Sequence, residues 1–422
     1  MTLGLPQPAP ERRRPTAVGF RRRGLLAAAA VAGVAAVLAV VLLLRGGGGD
    51  DGGRSEASAA AAADAFLTRY VEPDGRVSRR DQGGDTVSEG QAYAMLLAAD
   101  QGRGRTFARV WGWTRENLRR PDGLLAWHWA GGEVVDPHSA ADGDLDAAWA
   151  LLLGARRFGA PAYRAEGLKL GSAILEHETV SLDGRSLLVA GDWATRFPAV
   201  VDPSYFSPAA FAALGRASGD PRWGELAATG REVLAQVSEA PSGLAPDWAT
   251  VEADGHAVPS PPPGEAGGEA AFGYDAVRVP LWQGAGCEAE ARELAARPAH
   301  FLAEAMAGPS PASTYALDGE PRGGEAGAPV LVATAAAVAA SESGGGTAAR
   351  GGGGATAEVD GGGAARAEGG EAAARGGGTA AGSAAAWLDR AAAADQAQPT
   401  YYGGALVALG RAALEPGGGL GC

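Results

Sequence analysis

Two short stretches indicate the architecture of this 422-residue chain: residues 85–97, DTVSEGQAYAMLL, and residues 139–152, SAADGDLDAAWALL. In each stretch, acidic residues precede or open a run that stays apolar or small for about two further turns. Apolar residues in such a pattern predict an α-helix rather than a strand. We therefore expect each stretch to form a helix that carries its acids at the N-terminal end.

The helical pattern continues outward from both stretches. From Ala59 to the end of the chain, apolar residues recur at helical spacing, alanine is abundant, and no segment shows convincing strand alternation. Loops rich in Gly, Pro and Asp divide this region, residues 59–422, into about twelve helices. The predicted fold is all-α, with helical hairpins stacked around one core. We expect helices to begin near Ala59, Ser88, Arg105, Asp144, Ala162, Ser207, Pro221, Tyr274, Glu288, Ala328, Ala384 and Tyr402.

The N-terminal region predicts a membrane anchor. Residues 25–44 carry no charge and, at ~1.5 Å per residue, would span a bilayer core of about 30 Å. The basic residues 1–24 are expected to stay cytoplasmic, which places the rest outside the membrane. Residues 45–58 are polar and Gly-rich, typical of a flexible linker. The alternative is a cleaved signal peptide, which would leave a secreted protein.

Charge and composition narrow the expected partners. After residue 45 the chain carries 29 bases and 48 acids, a formal charge of −19, so nucleic acid is not expected to bind. The five histidines lack metal-ligand spacing and the two cysteines cannot form a disulfide framework. We therefore expect no metal and no cofactor. Residues 341–383 are dominated by Gly and Ala and predict an irregular insertion.

Three acidic segments are candidates for chemistry, and each also has a structural interpretation. Glu89 could act in an aromatic-lined cleft, or it could belong to a helix cap with Ser88 as N-cap. The acids of residues 142–146 could likewise cap a helix, or hold magnesium as an Asp-x-Asp pair. In residues 272–280, FGYDAVRVP, Asp275 and Arg278 are three apart and could form an ion pair on one helix face.

Aromatic residues lie near these acids along the chain, which suggests a sugar as ligand, because sugar rings stack on aromatic planes. Each could equally be ordinary core packing. If alternate helices form an inner ring, five residues at helix starts gather at one mouth. They are Glu89, Asp142, Tyr205, Asp275 and Tyr401.

Five segments in order resemble glycoside hydrolase family 8: residues 86–97, 141–153, 202–206, 274–280 and 400–403. The resemblance implies an (α/α)6 toroid and inverting endo-hydrolysis of a β-1,4-linked polysaccharide, with cellulose or β-glucan favoured over chitosan or xylan. The family includes the cellulases of cellulose-synthesis operons, which makes a polysaccharide-synthesis complex a candidate partner.

The resemblance also implies roles for individual residues. Glu89 matches the general acid, Asp275 the general base, and Asp142 the acid that holds the sugar beside the scissile bond. Tyr274 and Arg278 would orient the base and the attacking water. Further residues would line the glycan cleft, namely Trp127, Tyr205 and Tyr401.

Two other classes of function stay open. The first is a catalytically inactive, membrane-tethered glycan-binding protein with the same cleft. The second is a diphosphate lyase, which needs magnesium and basic residues, of which the cleft residues named above offer only Arg278.

Overall fold

A computed structural model describes residues 51–265, 267–348 and 382–421. These residues form thirteen α-helices, and most begin within about one turn of the predicted position. The helix expected near Glu288 is two helices, because Pro298 lacks an N–H and interrupts the backbone ladder. The helices are α1 Asp51–Tyr70, α2 Ser88–Asp100, α3 Gly104–Asn117, α4 Ala141–Phe158, α5 Pro161–His177, α6 Pro208–Ser218, α7 Arg222–Val237, α8 Arg278–Gly284, α9 Ala289–Ala296, α10 Ala299–Ala307, α11 Ala328–Ala348, α12 Ala384–Ala397 and α13 Tyr401–Leu414.

Six of these helices form a closed inner ring, in the order α2, α4, α6, α8, α11 and α13. Each contacts the next, and α13 contacts α2. Other helices pack outside the ring: α3 contacts α2 and α4, α5 contacts α4 and α6, and α12 contacts α11 and α13. The expected alternation of inner and outer helices is therefore present in the part of the chain that the structure describes.

Burial explains which helices lie inside. In α2, residues 92–99 are all at most 2% exposed, so this helix is apolar on every side. The outer helix α3 buries Phe107, Val110, Trp111, Trp113 and Thr114, while the rest of its surface carries charged residues. A helix that is apolar all round must be enclosed, whereas an amphipathic one can face water.

Short strands accompany the helices, although the sequence shows no convincing strand alternation. The described residues include eleven strands, all paired antiparallel in four small sheets ordered β1-β2-β3, β4-β5, β6-β7-β8 and β11-β10-β9. Each strand spans only two to five residues, too few for alternation to stand out from the helical pattern. The strands are β1 Thr86–Val87, β2 His128–Ala130, β3 Glu133–Asp136, β4 Thr179–Leu182, β5 Arg185–Leu188, β6 Ala199–Val201, β7 Trp248–Val251, β8 Ala257–Ser260, β9 Ala271–Phe272, β10 Ala312–Ala316 and β11 Pro321–Glu325.

Three of these strands lead into inner helices. β1 runs directly into α2, and β6 and β9 end shortly before α6 and α8. Their partners are β2, β7 and β10, respectively. The start of α4 is held similarly, since the Ala141 N–H donates to the Ala190 carbonyl at 3.0 Å. The sheets therefore fix the N-terminal ends of inner helices, where the candidate acids lie.

Two glycines allow the first turns of the inner helices to approach one another. A Cβ on Gly143 of α4 would lie 2.2 Å from the Ser88 Oγ of α2. A Cβ on Gly90 would lie 2.2 Å from the Tyr401 hydroxyl oxygen of α13. Larger residues at these positions would force the helix starts apart.

Two predicted boundaries differ in the structure. Helix α1 begins at Asp51, inside the predicted linker of residues 45–58, and α11 extends to Ala348, into the predicted insertion of residues 341–383. Both extensions continue alanine-rich helices, although residues 51–58 and 341–348 themselves hold only one alanine each. The predicted membrane segment, residues 25–44, and most of the Gly/Ala stretch lie outside the described residues. Among the residues described, no helix combines the length and the apolar character needed to cross a membrane.

Candidate active site

One guanidinium group, that of Arg278, stands where the inner helices begin. Arg278 is the first residue of α8 and is 2% exposed. Its nitrogens contact carboxyl oxygens of four acids from distant parts of the chain. The distances are 3.0 Å to Asp275, 3.3 Å to Glu89, 3.4 Å to Asp202 and 3.7 Å to Asp142.

Further polar and aromatic groups hold the guanidinium in place. Arg278 Nη2 donates to the Ser204 Oγ at 2.9 Å, and Nη1 donates to the Tyr402 hydroxyl at 3.2 Å. The Arg278 Cζ lies 5.6 Å from the centroid of the Tyr205 ring, within cation–π range. The Tyr402 hydroxyl donates in turn to the Tyr274 carbonyl at 2.6 Å. Arg278 is therefore fixed on several sides.

Four carboxyl groups around one cation cannot all be ionised without cost. Burial raises the pKa of Asp142, and Arg278 opposes the increase. Burial raises the pKa of Asp202 well above its usual range, with Asp275 adding to the effect. A carboxylate removed from water is costly unless it is fully paired, so burial shifts Asp142 and Asp202 towards their protonated forms.

Glu89 lies in the first turn of α2, and about one fifth of its side chain, 21%, is exposed. Burial raises its pKa to about 7; Arg278 opposes this, while Asp142 and Asp275 add to it. Near neutral pH a large fraction of Glu89 therefore holds its proton. A protonated carboxyl with access to solvent can donate a proton to a bound ligand.

Asp275 lies in the turn that precedes α8, and 33% of its side chain is exposed. The ion pair with Arg278 predicted from the sequence spacing is confirmed, but Asp275 lies before the helix and not on one of its faces. Asp275 is thus paired with a cation on one side and open to solvent on the other. That environment suits a carboxylate that accepts a proton from water.

The structure does not support the capping interpretation of Ser88 and Glu89. Ser88 is the first residue of α2, the N-cap position is held by Val87, and no side-chain cap hydrogen bond is made. The Ser88 Oγ is buried without a hydrogen-bond partner among the described residues. Asp142 is also buried, at 6% exposure, and its Oδ1 accepts the N–H of Gly143 at 2.7 Å.

The aromatic residues predicted to line the cleft differ in how deeply they are buried. Tyr274 is 56% exposed, whereas Tyr205 is 9% exposed beneath Arg278. Tyr401 is 1% exposed and packs against Phe66 and Tyr70, so it offers little surface for stacking on a sugar. Trp127 is partly buried, and its carbonyl accepts the Ser88 N–H at 2.9 Å, beside Glu89.

A cavity of about 640 Å³ opens beside these groups. Of the eight predicted site residues, five line it and three lie elsewhere around the cluster. The three are Asp142, Trp127 and Tyr205. The five are Glu89, Tyr274, Asp275, Arg278 and Tyr401.

Several residues near the site were not among the sequence candidates. Asp202 and Ser204 contact Arg278, and both lie in residues 202–206, a segment already noted for its resemblance. Asp247 accepts backbone hydrogen bonds from the turn that carries Asp275. Nothing in the sequence around Asp247 marks it, because its relevance depends on a contact between distant segments.

A second acidic pair is buried below the cluster. Asp144 of α4 accepts the Leu125 N–H at 2.9 Å, and its other carboxyl oxygen has no partner among the described residues. Glu178 follows α5, and neither of its carboxyl oxygens makes a hydrogen bond of good geometry, although the Ser139 hydroxyl lies beside it. Burial raises the pKa of Glu178 to about 8. Burial and the charge of Glu178 raise the pKa of Asp144 well above its usual range.

This pair predicts that stability depends on pH. The folded protein keeps a proton on Glu178 that the unfolded chain loses near pH 4.5, so stability falls between about pH 4.5 and 8. The free energy of unfolding should therefore decrease from pH 5 to 8.5 in the wild type. We expect this decrease to be smaller in Glu178→Gln by roughly 2–4 kcal/mol, as measured by urea unfolding. Glu232→Gln is the control, because Arg185 lowers the pKa of that exposed acid and leaves it charged throughout the interval. An unchanged pH dependence in Glu178→Gln would contradict the assignment.

Comparison with known proteins agrees with this geometry. The sequence model described as "Glycosyl hydrolases family 8" matches residues 54–304, more than half of the chain. An endoglucanase of Cellulomonas uda is 29% identical over 227 residues, which cover 52% of this chain and 61% of the relative. The chain therefore matches about three fifths of the length of that relative.

Solved structures show the same fold. The endo-β-1,4-glucanase of Acetobacter xylinum superposes with a TM-score of 0.63 at 23% identity, covering 85% of this chain and 98% of that one. A β-1,3-1,4-glucanase of Paenibacillus sp. X4 gives a TM-score of 0.69 at 18% identity, covering 88% and 94%. With the family match over residues 54–304, the ring of inner helices and the acids at its mouth, the chain belongs to glycosyl hydrolase family 8.

Proposed function

We propose that this protein is an inverting endo-hydrolase of a β-1,4-linked polysaccharide, with cellulose or β-glucan as the favoured substrate. The observation that carries the proposal is that Glu89 and Asp275 contact different nitrogens of the Arg278 guanidinium at one cavity. Glycoside hydrolysis needs two carboxyl groups in different protonation states beside the scissile bond. The raised pKa of Glu89 and the ion pair of Asp275 supply that difference.

In the proposed mechanism Glu89 is the general acid. It gives its proton to the glycosidic oxygen, and the bond from that oxygen to the anomeric carbon breaks. Asp275 takes a proton from a water molecule that attacks the anomeric carbon from the opposite face. Each turnover therefore moves one proton from Glu89 to the leaving sugar and one from water to Asp275, and solvent restores both groups.

The contacts with Arg278 set an upper limit on the separation of the two acids. Because both contact one planar guanidinium, the contacting oxygens of Glu89 and Asp275 lie within about 9 Å of each other. Inverting enzymes place their carboxyl groups about 6.5–9.5 Å apart, and retaining enzymes about 5–5.5 Å apart. The anomer released is the deciding measurement. NMR during early turnover should show the α-anomer from a β-linked substrate, and an initial β-anomer would overturn inversion.

Asp142 and the aromatic side chains are proposed to hold the substrate. Asp142 would bind the sugar beside the scissile bond, and Trp127, Tyr205, Tyr274 and Tyr401 would shape the cleft, with Tyr274 offering the most exposed ring. Arg278 would orient Asp275 and the attacking water. No cofactor enters this mechanism.

The substrate is proposed from the relatives, since endoglucanases and a β-1,3-1,4-glucanase are similar to this chain. Chitosan and xylan are the alternative substrates, and an inactive glycan-binding protein is the alternative class. Digestion of carboxymethylcellulose, barley β-glucan, chitosan and xylan, followed by a reducing-sugar assay, separates them. Release from a glucan supports the proposal, whereas binding without release would establish the inactive alternative.

We also propose that the catalytic domain lies outside the membrane, anchored through residues 25–44 or secreted after cleavage. The support is the uncharged run behind a basic N-terminus. A polysaccharide-synthesis complex is the proposed partner of the anchored form. Protease treatment of intact spheroplasts should degrade the domain, and protection from the protease would contradict this location.

A further inference from the structure

Asp247 lies immediately before β7 and reaches the turn that carries Asp275. Its Oδ1 accepts three backbone N–H groups, from Gly273 at 3.0 Å, Asp275 at 3.0 Å and Ala276 at 2.7 Å. Its own N–H donates to the Ala271 carbonyl at 2.8 Å, which ties it to the strand that precedes the turn. One carboxyl oxygen therefore accepts hydrogen bonds from Asp275 itself and from residues on both sides of it.

These three N–H groups precede the first residue of α8 in the chain. Without the Asp247 carboxylate they would have no acceptor in the space that it fills. Free N–H groups before a helix need an acceptor, and an ionised carboxylate is a strong one. The approach is close: a Cβ on Gly273 would lie 2.3 Å from the Asp247 Oδ2. A glycine at this position lets the turn close onto the carboxylate.

The charges of Asp247 and Asp275 also interact. Burial raises the pKa of Asp247 to about 6, with the charge of Asp275 as the next cause, and the three N–H groups oppose the increase. A pair of neighbouring acids is unfavourable unless something compensates it. The three hydrogen bonds provide that compensation, and they hold the backbone at Asp275.

We propose that Asp247 is a positioning residue for the general base: its Oδ1, by accepting the N–H groups of Gly273, Asp275 and Ala276, fixes the turn from which Asp275 reaches the attacking water. The inference rests on the proposed function, because Asp275 is the base only if the protein is a hydrolase. Asp247 itself does not touch the substrate in this account. Its effect is transmitted through the backbone to one carboxylate.

The test compares Asp247→Ala with Asp247→Asn in the full chain, on the soluble glucan that the wild type hydrolyses best. A displacement of about 1 Å at a reacting group can cost about 100-fold, so we expect Asp247→Ala to lower kcat by roughly 10- to 100-fold. KM should change less than about threefold, because no proposed sugar contact is removed. Asparagine keeps the accepting oxygen, so Asp247→Asn should recover most of the lost kcat.

Asp254→Ala is the matched control. Asp254 lies beyond the other end of β7 and accepts one backbone N–H, that of His256, at 3.0 Å on an exposed turn. We expect kcat for Asp254→Ala to equal that of the wild type. Hydrogen exchange followed by mass spectrometry should be faster around residues 273–277 in Asp247→Ala only.

If Asp247→Ala fails to fold, Gly273→Ala provides the second test. It retains Asp247 but pushes the turn away from Oδ2, and it should lower kcat with little change in KM. The inference is overturned if wild-type kcat persists in Asp247→Ala or, where that variant does not fold, in Gly273→Ala. It is also overturned if Asp247→Asn loses as much kcat as Asp247→Ala. A wild type that hydrolyses no glycan would instead contradict the proposed function, so the two failures are distinguishable.

Discussion

A Glu89→Gln variant is expected to lose at least about 100-fold, and up to about 10⁴-fold, in kcat, because it removes the proposed general acid. The amide has nearly the same shape and can still accept a hydrogen bond from Arg278 through its oxygen. It cannot give a proton to the leaving oxygen. Reducing-sugar release should fall accordingly, while thermal unfolding and binding of a soluble glucan should stay close to those of the wild type.

The matched control is Glu225→Gln. Glu225 occupies the first turn of α7, where it accepts hydrogen bonds from the Ser186 N–H and Oγ, and an amide oxygen can replace it. Activity should be unchanged in that variant. An aryl cello-oligosaccharide with a strongly acidic phenol should partly rescue Glu89→Gln, because such a leaving group needs no proton. Full activity of Glu89→Gln on unmodified glucan would refute its role.

The pH profile follows from the same group. In the proposed mechanism Glu89 acts only while protonated, and burial raises its pKa to about 7. In the wild type kcat should therefore decline as the pH rises through about 7.

The sequence indicated the inner helices because burial leaves a strong pattern. Residues 92–99 contain no charged side chain and all lie inside the ring, so periodicity and composition agree there. The candidate acids were identifiable because Glu89, Asp142 and Asp275 interrupt or adjoin such apolar runs. The sequence predicted that these acids gather at one mouth of the ring, because alternate helices face inward. It did not predict that all of them contact Arg278.

The short strands could not be found by alternation, but two of the hairpins carried another signal. Asp183 and Gly184 connect β4 to β5 with φ values of 49° and 80°, and Gly131 and Gly132 connect β2 to β3 with 64° and 100°. Asp-Gly and Gly-Gly pairs between apolar residues favour two-residue hairpins because both positions need positive φ. These pairs are therefore the local sequence signal for the short hairpins that accompany the helices.

Other features depend on contacts that no local pattern records. Tyr401 lines the cavity, but its ring is almost fully buried against Phe66 and Tyr70 from α1, at the opposite end of the sequence. Asp247 is an ordinary acid before a short strand until the fold brings the Asp275 turn onto it. Such contacts between residues far apart in sequence are decided by tertiary packing.

Arg278→Met is expected to destabilise the protein by about 3–5 kcal/mol and to abolish turnover. The guanidinium is the cation shared by four carboxyl groups, and its loss leaves buried acids without their counter-charge. Without it the folded state should retain still more protons than the unfolded chain. The loss of stability should therefore be smaller at pH 5 than at pH 8, as measured by urea unfolding.

Arg411→Met is the control variant. It shows whether the effect of Arg278→Met comes from the charge of Arg278 or from the loss of any buried arginine. Arg411 lies about 14 Å further along α13 than Tyr402, at ~1.5 Å per residue, and pairs with Asp389 and Glu415. Arg411 contacts two acids rather than four and does not line the cavity, so destabilisation in Arg411→Met should grow less between pH 5 and 8 than that in Arg278→Met, and its folded molecules should keep their kcat. If Arg278→Met lost the same stability at both pH values, Arg278 would not be what keeps the cluster charged. The same guanidinium contacts Glu89 and Asp275. A loss of stability that grows with pH would therefore link the stability of this end of the ring to the protonation difference on which the proposed mechanism depends.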